Sequence, residues 1–267
     1  MALFHILLVA ILQGLTEFLP VSSSGHLILL SQITPLPDQG LAIDVAAHVG
    51  TLAAVVIYFW QDVRVALLGL PRMLTGRIDT PGARLAFLLI IATLPVIVLG
   101  LIFKLTGLAD ALRSIAVIGW TMIGFGLVLW WSDRKGSQTK TAQDWSINEA
   151  WKLGLWQAVA LIPGTSRSGI TITGARMAGY TRHDAAKLAM LMSIPTIIAS
   201  GALLSIDVAQ QADWQTAKDS AFAAVFSFAA ALIALSLMMR LLRSVSFTPY
   251  VIYRVILGLI LLVIAYS

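Results

Sequence analysis

The chain reads as an all-α integral membrane protein, with six transmembrane helices plus two re-entrant helical hairpins in an inverted-topology repeat. Three observations carry this expectation. Of 267 residues, 58% are hydrophobic and 12% charged, and the mean hydropathy is +0.88; such a balance belongs to a polytopic membrane protein. Six apolar segments are each long enough to cross about 30 Å of hydrocarbon at ~1.5 Å per residue. Two further apolar regions are broken midway by polar residues that lipid would not tolerate.

The elements follow in chain order. Residues 1–31 begin MALFHILLVA, with no basic leader and no small-residue cleavage site, so they are expected to belong to the mature chain. Their apolar runs are short and interrupted by QGLTEFLPVSSSGH, which suits a hairpin that enters the membrane and returns. Crossings are expected over 41–60, 84–103 and 114–131. A polar stretch, 132–146, then reads as a cytoplasmic connection. The second hairpin occupies 147–178 and is broken by PGTSRSGITIT, and three more crossings follow over 188–206, 219–239 and 249–266.

The two halves resemble each other. Gln13 and Gln157, Ser22 and Ser166, Ser24 and Ser168, and Gly25 and Gly169 all stand 144 residues apart. A first repeat of about 1–131 and a second of about 147–267 therefore form a single membrane domain. Three crossings per repeat force the second copy to be inverted relative to the first. Fourteen of the 18 Lys and Arg residues, Arg176 and Arg254 among them, are assigned to one side of the resulting topology. The opposite side holds Lys104, Arg113 and Lys218, with Asp207, Asp213 and Asp219. The positive-inside rule makes the first side cytoplasmic. The basic residues are dispersed between spans, which argues against nucleic acid as a partner, and the absence of cysteine excludes thiol chemistry.

The polar interruptions are the candidate sites. Gln13 and Glu17 share one helical face, where a carboxylate binds a cation, acts as a base or pairs with an arginine. PVSSSGH adds Ser22, Ser23 and His26, raw material for nucleophilic or acid–base catalysis. In the second interruption Gly164 permits a tight turn, and Thr165, Ser166 and Ser168 bring hydroxyl and amide donors. Arg167 offers a planar fork suited to phosphate oxygens, or else a counter-charge for Glu17. Asp44 and His48 also lie four apart, but a local hydrogen bond explains them equally well.

These two motifs resemble the signatures of the bacterial undecaprenyl-diphosphate phosphatase family of the bacitracin-resistance type, and the resemblance runs across essentially the whole chain. It implies hydrolysis of the C55 isoprenyl diphosphate to the monophosphate and inorganic phosphate, recycling the carrier lipid for cell-wall synthesis. It also implies a multi-pass protein of the bacterial inner membrane among membrane lipids, a site facing the periplasm, a homodimer, and dependence on a divalent cation, Mg2+ or Ca2+. The family's (E/Q)xxxE motif falls on Gln13 and Glu17, the expected metal ligands. Glu17, Ser22, Ser23, His26 and Arg167 are the implied catalytic set. Gly164, Thr165, Ser166, Arg167, Ser168 and Thr171 would hold phosphate. Glu is common in the family where this chain has Gln13, so a two-carboxylate metal site is not expected here. The attacking group is open at this point between a serine, water and His26. The rival reading is an inverted-repeat transporter or flippase for a phosphorylated lipid.

Overall fold

The computed structural model describes residues 3–33, 40–209 and 214–267. Among these residues the chain is helical, with no strand. The first half comprises α1 (Leu3–Glu17), α2 (Ser23–Ile33), α3 (Leu41–Tyr58), α4 (Trp60–Leu74), α5 (Pro81–Thr106), the single turn α6 (Leu108–Ala111) and α7 (Ile115–Lys135). The second comprises α8 (Ile147–Ala158), α9 (Arg167–Met177), α10 (Arg182–Ala209), α11 (Trp214–Leu241) and α12 (Thr248–Tyr266). Six helices are long and apolar enough to cross a membrane: α3, α5, α7, α10, α11 and α12. They are the six that the sequence predicts. By contrast α1, α2, α8 and α9 have 15, 11, 12 and 11 residues, so each is only ~16–23 Å long and short of the hydrocarbon thickness.

Lipid-facing surfaces explain the composition. Only 33–44% of each crossing window is buried inside the protein, and Leu68, Val98, Leu237 and Val263 are exposed. Water would penalise such a surface, whereas acyl chains are its natural solvent. Helix association in lipid relies on close packing of small residues. Accordingly Ala10, Ala54, Ala223, Ala231 and Ala234 are buried, and Ser227 on α11 donates to the Ala47 carbonyl of α3 at 2.7 Å.

The repeat is visible in the packing. Helix α1 lies against α11 as α8 lies against α5, while α7 packs on its counterpart α12 and α3 on α10. It is visible in the backbone too. Ser22 and Ser166 are the two described non-glycine residues with positive φ, 70° and 69°, and they stand 144 positions apart. Left-handed backbone at such a residue costs of order 1–3 kcal/mol and persists where the surroundings fix it.

Two features go beyond what the sequence predicts. The sequence reading assigns no element between the crossings 41–60 and 84–103, yet residues 60–74 form the amphipathic helix α4, which packs against α5. Arg176 and Arg254, counted among the basic residues of the cytoplasmic side, are 0% exposed. Arg176 donates to Asp133 at 3.1 Å and to the carbonyls of Asp133, Ser137 and Tyr180, tying the end of α9 to the connection after α7. Arg254 lies inside the bundle. An arginine seven positions into an apolar span is itself a signal of this kind, and orientation counting concealed it.

Candidate active site

Each short-helix pair breaks for a local reason. Helix α1 stops at Glu17 because Pro20 disfavours helical backbone before it. The chain turns through Ser22 and restarts at Ser23, the first residue of α2. In the second pair Gly164 adopts φ +85°, and a Cβ there would come within 2.2 Å of the Thr121 hydroxyl, so only glycine passes. Ser166 then caps α9, its Oγ accepting from the Gly169 amide at 3.2 Å. The two turns lie side by side. The Gly164 amide donates to Ser24 Oγ at 3.3 Å, and Ser168 Oγ donates to the Leu19 carbonyl at 2.9 Å.

Between the turns is a cavity of about 140 Å3, lined by Glu17, Ser22, Ser23, Ser24, Ala160, Gly164, Ser166 and Arg167. A water's share of liquid volume is ≈ 30 Å3, so the space suits a phosphoryl group or a few waters. Glu17 organises it. Arg167 Nη2 donates to Glu17 Oε1 at 2.5 Å. The other carboxylate oxygen, Oε2, accepts from Gln13 Nε2 at 2.7 Å and from Ser23 Oγ at 3.2 Å. Ser23 thus has its hydroxyl directed at a carboxylate, whereas the Ser22 hydroxyl is paired with Ser24 at 3.0 Å. Arg167 Nη1 is buried without a partner, so half of the guanidinium fork is unused.

Five of the residues singled out from sequence line the cavity together with Gly164: Glu17, Ser22, Ser23, Ser166 and Arg167. Others do not. His26 bonds the Ser22 carbonyl through Nδ1 at 2.7 Å and the Tyr253 hydroxyl through Nε2 at 2.6 Å, and it stacks on the Tyr253 ring. Both ring nitrogens are therefore engaged outside the cavity. Thr165 and Thr171 are fully buried, with unpartnered hydroxyls, and Ser168 is spent on Leu19.

His48 is closer to the centre than its sequence context suggests. Its Nδ1 bonds the Asp44 carbonyl at 2.8 Å, which makes Nδ1 the donor and leaves Nε2 to accept from Gln13 Nε2 at 3.2 Å. That nitrogen is 3.8 Å from Glu17 Oε2. Spacing to Asp44 was the available signal, and it pointed to a pair with the Asp side chain rather than with Gln13.

For a divalent cation the donor set is sparse but suitable. Among the described residues no three His, Cys, Asp or Glu side chains converge on one point. The buried Gln13 Oε1 has no partner and stands beside the carboxylate. One carboxylate with a neutral oxygen, completed by substrate phosphates, is a usual environment for Mg2+.

A model of the family described as Bacitracin resistance protein BacA matches residues 6–260. The undecaprenyl-diphosphatase of Ruegeria pomeroyi is 71% identical over 267 residues, covering 100% of both chains. That of Roseobacter denitrificans is 67% identical, also over the full length of both. Undecaprenyl-diphosphatase 1 of Rhodospirillum rubrum is 43% identical over 272 residues, covering 100% of this chain and 96% of its own.

Proposed function

This chain belongs to the bacitracin resistance protein BacA family and is an undecaprenyl-diphosphate phosphatase, and we propose that Glu17, Ser23 and Arg167 carry its chemistry. The observation that supports this division of labour is the single carboxylate held between a serine hydroxyl and a half-used guanidinium. Arg167 Nη1, with the amides at the start of α9, receives the terminal phosphoryl group of the lipid diphosphate. Ser23 Oγ attacks its phosphorus while Glu17 Oε2 takes the hydroxyl proton. The P–O bond to the bridging oxygen breaks, and undecaprenyl phosphate departs with that oxygen. Glu17 passes the captured proton to that departing phosphate and is a carboxylate again; water then attacks the phosphoserine and gives its proton to Glu17, which returns it to Ser23 Oγ as the P–Oγ bond breaks and inorganic phosphate is released. His26 acts at one remove, fixing the Ser22 carbonyl and so the strained turn that presents Ser23.

A divalent cation would be held by Glu17 and Gln13 Oε1, and when bound it supplies charge neutralisation of the diphosphate. On the same proposal the protein spans the bacterial inner membrane with its cavity facing the periplasm, a reading supported by the excess of Lys and Arg on the opposite side. The homodimer implied by the family resemblance is part of the same proposal. A transporter would need the anion cradle but not a serine hydroxyl bonded to a carboxylate, so hydrolysis is the better reading. The test is phosphate release from a C55 diphosphate by purified wild type and Ser23→Ala, with and without Mg2+ or Ca2+. Wild type should release phosphate only with a cation, and Ser23→Ala should not release it. Equal turnover by both proteins would overturn the assignment of Ser23.

A further inference from the structure

Arg254 is the most isolated charge in the described structure. It is 0% exposed and no carboxylate pairs with it among the described residues. Its guanidinium is held by main-chain oxygens alone. Nε donates to the Met122 carbonyl at 3.1 Å, and Nη2 donates to the carbonyls of Gly164 and Thr165 at 3.2 and 2.9 Å. The remaining nitrogen, Nη1, is buried without a partner. It lies under the first turn of α9, where a Cβ on Gly169 would approach it to 2.8 Å.

Burying an unpaired charge is expensive, and a guanidinium does not shed its proton to escape the cost. A neutral glutamine amide has two N–H donors and could hold two of these three carbonyls, those of Gly164 and Thr165, without any charge. What distinguishes arginine here is the charge, and the charge has an evident target. In the cavity Glu17 and Arg167 form an ion pair, so their unit charges cancel. Gly164, whose carbonyl Arg254 holds, lines that cavity. Arg254 therefore stands one residue behind the cradle and contributes the uncompensated positive charge of the centre.

We propose that Arg254 is a positioning residue that, from behind the 164–169 turn, fixes this turn and supplies the net positive field that draws the diphosphate into the cavity. The proposal rests on the reading of the cavity as the diphosphate site. Within a low-dielectric bundle the field of a fixed charge reaches well beyond contact distance. It favours a multiply charged anion over a neutral ligand of the same shape, and this separates the role from simple structural support.

The test is equilibrium binding to the purified proteins at pH 6, independent of turnover, with inorganic pyrophosphate as the charged probe and undecaprenol as the uncharged one. It compares wild type, Arg254→Lys, Arg254→Gln and Arg167→Ala. Glutamine keeps an amide donor for the turn but removes the charge, whereas lysine keeps the charge. Arg254→Gln is expected to bind pyrophosphate at least tenfold more weakly, with undecaprenol binding changed less than threefold. Arg254→Lys is expected to stay within threefold for both probes. Wild-type pyrophosphate affinity in Arg254→Gln, or equal weakening in the Lys and Gln variants, would overturn the proposal. Should the Gln variant fail to fold, the Lys variant decides alone, because a tenfold loss there would mean that donor geometry and not charge is what matters. If the cavity itself were misassigned, Arg167→Ala would bind pyrophosphate like wild type, an outcome distinct from failure at Arg254.

Discussion

Replacing Arg167 by lysine separates two roles that the wild-type side chain combines. One nitrogen, Nη2, is bonded to Glu17 Oε1 at 2.5 Å, while Nη1 is buried in the wall of the cavity with no acceptor. A lysine ammonium preserves the ion pair but cannot present a second donor in a fixed plane. A charge-assisted hydrogen bond contributes about 1.5–3 kcal/mol. If the free nitrogen engages the phosphoryl oxygens in the transition state, losing it lowers kcat/KM roughly 10- to 150-fold. Alanine removes both donors and strands a buried carboxylate, a loss that costs ~3–5 kcal/mol of stability when a buried pair is broken. The Lys variant is therefore the cleaner probe. The assay is phosphate release at several substrate concentrations for wild type, Arg167→Lys and Arg167→Ala, with a melting curve for each. Near-normal kcat/KM in Arg167→Lys would refute the phosphate-gripping role and reduce Arg167 to a counter-ion.

Further outcomes follow from the same centre. Glu17→Gln should abolish phosphate release and lower the melting temperature, since the buried Arg167 loses its partner; both effects are read from one purified sample. Gln13→Glu should retain activity and lower the Mg2+ concentration needed for half-maximal rate, because a second carboxylate joins the Glu17 oxygens. In this cysteine-free chain, Gln138→Cys should react with an impermeant thiol reagent only from the cytoplasmic side and Lys218→Cys only from the periplasmic side. Labelling of both from the same side would break the inverted topology.

Much of the fold was legible because lipid leaves few choices. The crossings from α3 to α12 follow from apolar length alone, and the 144-residue offset between Ser22 and Ser166 returns as a shared left-handed backbone. Helix α4 escaped because its mixed face, with Arg64 and Arg72 among Leu and Val, satisfies no length rule for spanning. The polar interruptions marked the site because polar atoms at membrane depth must be satisfied internally. Which hydroxyl meets which acceptor depends on side-chain direction at the turns themselves, set by the left-handed backbone at Ser22, and residue type and spacing do not encode that. Ser22 and Ser23 are equivalent candidates in the sequence, yet only Ser23 reaches Glu17. His26 sits within the motif but is buried and turns away from the cavity to Tyr253. Arg254 stands inside an apolar span, and counting it only as one basic residue of the cytoplasmic side hid its burial.

The central claim is that Ser23 attacks the terminal phosphorus while Glu17 accepts its proton. It is tested most directly by acid-quenching the purified enzyme during turnover of C55 diphosphate labelled in its terminal phosphate, then locating the label in the digested chain. The account predicts phosphate on Ser23 in the wild type and none in Glu17→Gln. Label on Ser22 or His26, or a wild-type enzyme that turns over without ever carrying phosphate, would contradict it.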